Sequence, residues 1–149
     1  MTGADPNATD TSAATLEAMV ELTRRLTGMI EGQALAFERH RPQDAAATLA
    51  EVARLANLYR AGSAEVRAAP GKLSEAPADL RVRLLSATQA FETALERQGK
   101  ALAASKVITE GVVKAIADEI AARRSVGQAY GPGAPRRGTA TAITLNRRA

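Results

Sequence analysis

The chain has no cysteine and no tryptophan, a single histidine at position 40, and only 3% aromatic residues. The missing cysteines exclude a disulfide framework, an iron-sulfur cluster and cysteine nucleophiles. A lone His40 without thiolates leaves no donor set for structural zinc. No apolar run approaches the roughly 18 to 20 residues of a transmembrane helix, and residues 1–15 lack the basic start and apolar core of a secretory signal. These absences predict a soluble, unprocessed protein with no metal, no cofactor and no stable membrane insertion. Net charge is also lacking over most of the chain. Of 20 basic and 16 acidic residues, Arg136, Arg137, Arg147 and Arg148 lie past residue 126 with no acid among them, so 20 − 4 = 16 bases balance the 16 acids of residues 1–126. The pI near 10.0 therefore belongs to a tail, and a neutral body has no field to steer nucleic acid.

What is present is helix. The hydrophobic fraction of 46% comes heavily from alanine, the best helix former, which favours thin helical bundles over a broad core. Residues 1–11 mix Gly, Pro, Asn, Asp and Thr without periodicity and predict a disordered N-terminus. From Ser12, itself or Thr11 a candidate N-cap, Leu16, Met19, Leu22, Leu26, Met29, Gln33 and Phe37 recur at spacings of three and four, giving a helix over about 12–40. Pro42 then reads as the first-turn proline of a second helix over 43–68, with Asp44 near its start and a stripe of Ala45, Leu49, Val52, Leu55 or Ala56, Tyr59 and Val66. So short a corner makes the pair an antiparallel hairpin. Residues 69–77, with two prolines and a glycine, read as the main linker. A third helix over 77–125 carries Leu80, Leu84, Thr88, Phe91, Leu95, Gln98, Leu102, Thr109, Val112, Ile116 and Ile120. The expected fold is all-α: a helical hairpin plus a long third helix in a three-helix bundle or coiled coil over 12–126, with a flexible basic tail at 127–149. The third helix would reach ~70 Å against ~40 Å for each partner. It must either bend, with Gly99 and Gly111 as weak points, or leave its second half uncovered. Thr139 to Leu145 alternates weakly, but with no other strand-like segment it reads as part of the mobile tail.

Few residues suggest chemistry. Gly28 and Gly32 match a membrane helix-dimer spacing, but Arg24, Arg25, Glu31 and Glu38 surround them, so close helix packing or chance accounts for them. His40 sits at a helix end between arginines, which suits surface capping. Glu92 with Glu96, and Asp118 with Glu119, lie where a bundle presents charge to water, and acid-base catalysis would need them desolvated. No glycine loop is followed by the Lys and Ser/Thr of a phosphate site. The expectation is a protein without enzymatic activity. Two features remain. Val107, Ile108, Val112, Val113, Ile116 and Ile120 form an apolar surface that two shorter helices cannot cover, and an uncovered helical stripe binds another helix, a second copy, or the chain's own linker or tail. Tyr130 stands past the predicted helix end in a Gly/Pro-rich segment, either as interaction anchors do or folded back on the third helix.

Leu22 to Ile30, Glu31-x-x-Ala34-Leu35, Asp44 with Leu49 and Val52, Arg54-Leu55 and Leu58-Tyr59 resemble the first hairpin of the FlgN family of flagellar export chaperones, in its alphaproteobacterial FlbY-like branch. Ala129-Tyr130-Gly131-Pro132-Gly133 is similar to the family's Tyr-Gly segment, and Leu145 to Ala149 to the branch's closing residues. The resemblance implies a cytoplasmic antiparallel bundle that binds hook-associated (hook-filament junction) proteins and delivers them to the flagellar type III export gate. It implies client binding by Val107, Val112, Val113, Ile116 and Ile120, and docking on the gate component FlhA by Tyr130 with Gly131. The partners are then proteins and not nucleic acid, with room for a weak homodimer. The other reading is a self-associating structural or regulatory protein of the flagellar basal body.

Overall fold

Proline marks every helix start. In the computed structural model, which describes residues 6–130, α1 (Pro6–Glu38), α2 (Pro42–Ala68) and α3 (Pro70–Ser74) each open on one, and α4 (Ala78–Tyr130) follows Pro77. Proline suits this place because its fixed φ is already helical and its missing N–H would be unpaired there anyway. The Pro77 carbonyl accepts the N–H groups of Leu80 and Arg81, both at 3.1 Å, and so starts α4. The fold is all-α, with no strand among the described residues.

Several boundaries differ from the expectation. α1 begins at Pro6 and not at Ser12. Thr11, Ser12 and Thr15 donate their hydroxyls to the carbonyls of Asn7, Ala8 and Thr11, so they bond back along a helix already under way instead of capping it. α1 ends at Glu38, where His40 takes a left-handed φ of 57°. The N–H of Arg41 reaches the Ala36 carbonyl at 2.8 Å and that of His40 the Phe37 carbonyl at 3.0 Å, the two bonds of a Schellman stop. His40 thus acts through its backbone. The linker is not wholly irregular, since Pro70 starts the one-turn α3, whose Leu73 packs against the core. α4 continues past residue 125 to Tyr130 because Gly127 alone costs only about 1 kcal/mol, whereas Pro132 disfavours helix at the residue before it. The rest of the predicted tail, with its four arginines and the segment 139–145, lies outside the described residues, as do residues 1–5.

The chain divides into two units, residues 1–106 and 107–149. In the first, α1 and α2 run antiparallel, with Arg25 bonded to Glu51 and Gln33 to Ala45 and Thr48. α1 and α4 run parallel, since Glu17 pairs with Arg83 and Glu38 with Arg97. The interior is layered. Leu16, Val20, Ala76, Leu80 and Ala87 form one cluster, and Leu26, Ile30, Val52, Leu55 and Ala94 the next, flanked by Tyr59 and Phe91 with ring centroids 4.9 Å apart. A polar layer follows: Gln98 donates to the Gln33 carbonyl oxygen at 2.7 Å, while the Gln33 amide donates to Ala45 and Thr48 on α2. One buried glutamine therefore ties three helices together.

The stripe prediction needs three corrections. Leu49, Leu95 and Leu102 are 62%, 42% and 43% exposed, and the buried positions on α4 are Leu80, Ala87, Ala94 and Ala101. These repeat every seven residues, the period of a coiled-coil seam, and three of the four are alanine. Gly28 and Gly32 lie on an exposed side, with nothing within 4 Å of a Cβ built there, so they are not packing glycines. Hydrogen bonds from Arg83, Arg97 and Arg54 hold the carboxyls of Glu17, Glu38 and Glu51 below their usual range, assisted by the cationic charges.

Candidate interaction face on the last helix

Every residue from 107 to 128 is exposed, although the segment is helical throughout. Alanine and the branched aliphatics Val107, Ile108, Val112, Val113, Ile116, Ile120 and Val126 make up much of it. Its helical stability comes from propensity and local pairs, Lys114 with Asp118 at 3.2 Å and Glu119 with Arg123 at 2.8 Å, each at the i,i+4 spacing that brings side chains together. Helix thus persists across Gly111, as it does across Gly99 in the first unit.

Helical geometry sorts the predicted client-binding residues. At about 100° per residue, Val112, Ile116 and Ile120 lie within roughly 80° of one another, and Val113 borders them. Val107 is about 180° from Ile116 and falls on the opposite side of the helix. The face that a single partner helix can touch therefore contains Val112, Val113, Ile116 and Ile120, and Val107 stands apart from it. Around this stripe an open groove of ≈ 480 Å³ is lined by Val112, Ala115, Ile116, Glu119, Ile120 and Arg123. Ala115, Glu119 and Arg123 are the contributors that a list of large apolar residues misses. Their signal is positional, since they share a side of the helix with the stripe, and the ion pair between Glu119 and Arg123 gives the groove a polar rim.

The apolar period also changes here. The core of α4 repeats by seven from Leu80 to Ala101, whereas Val112, Ile116 and Ile120 follow at intervals of four. The predicted gate-docking pair is divided by the limit of the described residues: Tyr130 is the last residue of α4, and Gly131 lies outside. The carboxylates considered for acid-base chemistry are all exposed. Asp118 and Glu119 are engaged by Lys114 and Arg123. Among the described residues no group of three or more His, Asp or Glu side chains could hold a metal ion, and no helix is long and apolar enough to cross a membrane.

Fold and face together define an all-α protein in which a layered helical bundle is joined to an exposed aliphatic helix. No protein-family profile and no solved structure matches the chain. It is 47% identical over 137 residues to the flagellar basal-body protein FlbY of Caulobacter vibrioides, an alignment covering 88% of this chain and 91% of the relative. The chain belongs to the FlbY family of flagellar proteins.

Proposed function

We propose that this chain is a cytoplasmic flagellar export chaperone. It binds the C-terminal helices of hook-associated proteins and delivers them to the type III export gate. The observation that carries the reading is the exposed stripe of Val112, Ile116 and Ile120, which are 53%, 55% and 46% exposed on a helix in a flagellar protein. A client helix laid along it loses the apolar surface through which that client would polymerise. At about 25 cal/mol per Å², a few hundred Å² supplies several kcal/mol before the costs of association. Competition for the same face releases the client without nucleotide. The role calls for no enzymatic activity, no cofactor and no nucleic acid. Tyr130 and Gly131 dock on the gate component FlhA, and Arg136, Arg137, Arg147 and Arg148 steer the approach. Tyr130→Ala then abolishes gate binding, while replacing the four arginines by glutamine only slows it.

The name of the Caulobacter relative, a basal-body protein, favours a second reading. The chain would then be a structural or regulatory component of the basal body that self-associates. Sedimentation with and without a hook-associated protein separates the two. A 1:1 complex with client supports the chaperone, whereas an oligomer that client does not dissociate supports the structural component.

A further inference from the structure

Leu49, Leu95 and Leu102 repeat like core residues and yet are exposed, and their positions have an order. Since α1 runs antiparallel to α2 and parallel to α4, α2 and α4 are antiparallel to each other. Tyr59 meets Phe91, and next to this pair Ser63, Val66, Leu84 and Thr88 line a hollow of ≈ 220 Å³ floored by Met19, which sets Ser63 level with Thr88. Steps of seven in opposite directions carry that level to Ala56 with Leu95 and to Leu49 with Leu102. The three levels make an outer seam ~21 Å long, about four turns of helix. It lies about 100° round each helix from the buried positions, since Leu55 precedes Ala56 as Ala94 precedes Leu95. Two such seams side by side are the wall on which a further bundle helix packs. Charge near the hollow is of one sign. Arg67 lines it, Arg60 stands seven residues earlier on α2 and Arg81 seven before Thr88 on α4, and none of the three has a carboxylate partner among the described residues. Glu92 and Glu96 lie farther along α4. The chain's own last 23 residues carry four arginines and no acid, so they do not complement this rim.

We propose that the groove between α2 and α4 receives an acidic amphipathic helix of another protein, which completes a four-helix bundle. Its apolar stripe packs on Leu49, Leu95 and Leu102, and its carboxylates meet Arg60, Arg67 and Arg81. One large apolar side chain enters the hollow over Met19, whose flexible thioether adapts to it. The groove lies wholly within residues 1–106 and is a second site, independent of the client face on the last helix.

Two synthetic helices of about three heptads test it, each with leucine at a and d, one with glutamate and the other with lysine at e and g, so that like charges keep either peptide monomeric alone. In titration calorimetry of the full chain the glutamate peptide binds one per chain, and the lysine peptide binds roughly tenfold more weakly or less, as three exposed ion pairs allow. Leu95→Asp with Leu102→Asp abolishes binding. Arg60→Glu with Arg67→Glu and Arg81→Glu reverses the preference, and Val112→Asp with Ile116→Asp changes neither affinity. All these positions are exposed, and circular dichroism verifies that each variant keeps its helix. Failure of both peptides to bind, equal affinity for the two, or binding that survives Leu95→Asp with Leu102→Asp overturns the proposal. Binding lost in Val112→Asp with Ile116→Asp assigns the peptide to the last helix and overturns the groove. A wild type that sediments as a dimer, and as a monomer once Leu95 and Leu102 are replaced, makes a second copy the occupant and overturns the foreign helix. None of these outcomes bears on the export reading, which is tested on its own face.

Discussion

Removing the Gln98 side chain, as in Gln98→Ala, strips the Gln33 carbonyl oxygen of its 2.7 Å donor while Gln33 stays 5% exposed between helices. A buried acceptor left without a partner costs about 1–3 kcal/mol. The rest of the Gln33 network cannot compensate, because its bonds to Ala45 and Thr48 use the amide nitrogen and not the carbonyl oxygen. Gln33→Leu alone removes three hydrogen bonds but leaves the half-buried Gln98 able to turn to water, so its cost comes mainly from α2. The double variant Gln33→Leu with Gln98→Ala no longer carries an orphaned acceptor and loses less than the sum of the singles. The expected coupling is about 1–2 kcal/mol, within the usual range for residues in one hydrogen-bonded network. The assay is urea unfolding followed by helical circular dichroism on the wild type, two singles and the double, fitted with a common slope. Each kcal/mol also moves the melting midpoint by roughly 4–8 °C for a unit of this size. Strict additivity would refute the claim that this polar layer locks α1, α2 and α4 in register.

Three further outcomes follow from local geometry. His40→Gly, at φ 57°, stabilises the protein by about 1 kcal/mol, because glycine enters the left-handed region without the Cβ clash, and thermal unfolding reads it. Gly28→Ala and Gly32→Ala each stabilise by up to ~1 kcal/mol in the same assay, since an added Cβ meets open space, and a loss at either would mean that the glycines are packed. The lowered carboxyls of Glu17, Glu38 and Glu51 contribute stability that is fully present above the unfolded carboxylate pKa of 4.5 and is lost as pH falls through their lower folded values. An acid titration should therefore show stability falling below about pH 4.5, less steeply when Arg83, Arg97 and Arg54 are all replaced by glutamine.

The all-α class and the order of the three long helices are legible in the sequence because large apolar residues recur at three and four and prolines punctuate them. The stripe on α1 is the clearest case, since Leu16, Met19, Leu26 and Gln33 are buried. The misplaced positions have a common cause. A list of large side chains overlooks the buried Ala87, Ala94 and Ala101, and assigns Leu95 and Leu102 the inward place the alanines occupy. Thr23 and Thr27 are buried for a reason hidden from hydropathy, as each hydroxyl donates to the carbonyl four residues back. The candidate face was visible as surplus apolar length, but its membership depends on helical phase, and phase separates Val107 from Ile116. Tyr130 is read as a tail residue only if helix stops at the first glycine, and α4 carries on past Gly127.

The central claim is that the stripe around Ile116 receives a client helix. Titration calorimetry of the full chain with a peptide of a hook-associated protein's C-terminal helix, repeated on Val112→Asp with Ile116→Asp, tests it directly. Both positions are exposed, so the variant keeps its helical signal, which circular dichroism verifies. One peptide bound per chain, lost in the variant, is the predicted result. Unchanged binding by the folded variant would contradict the account.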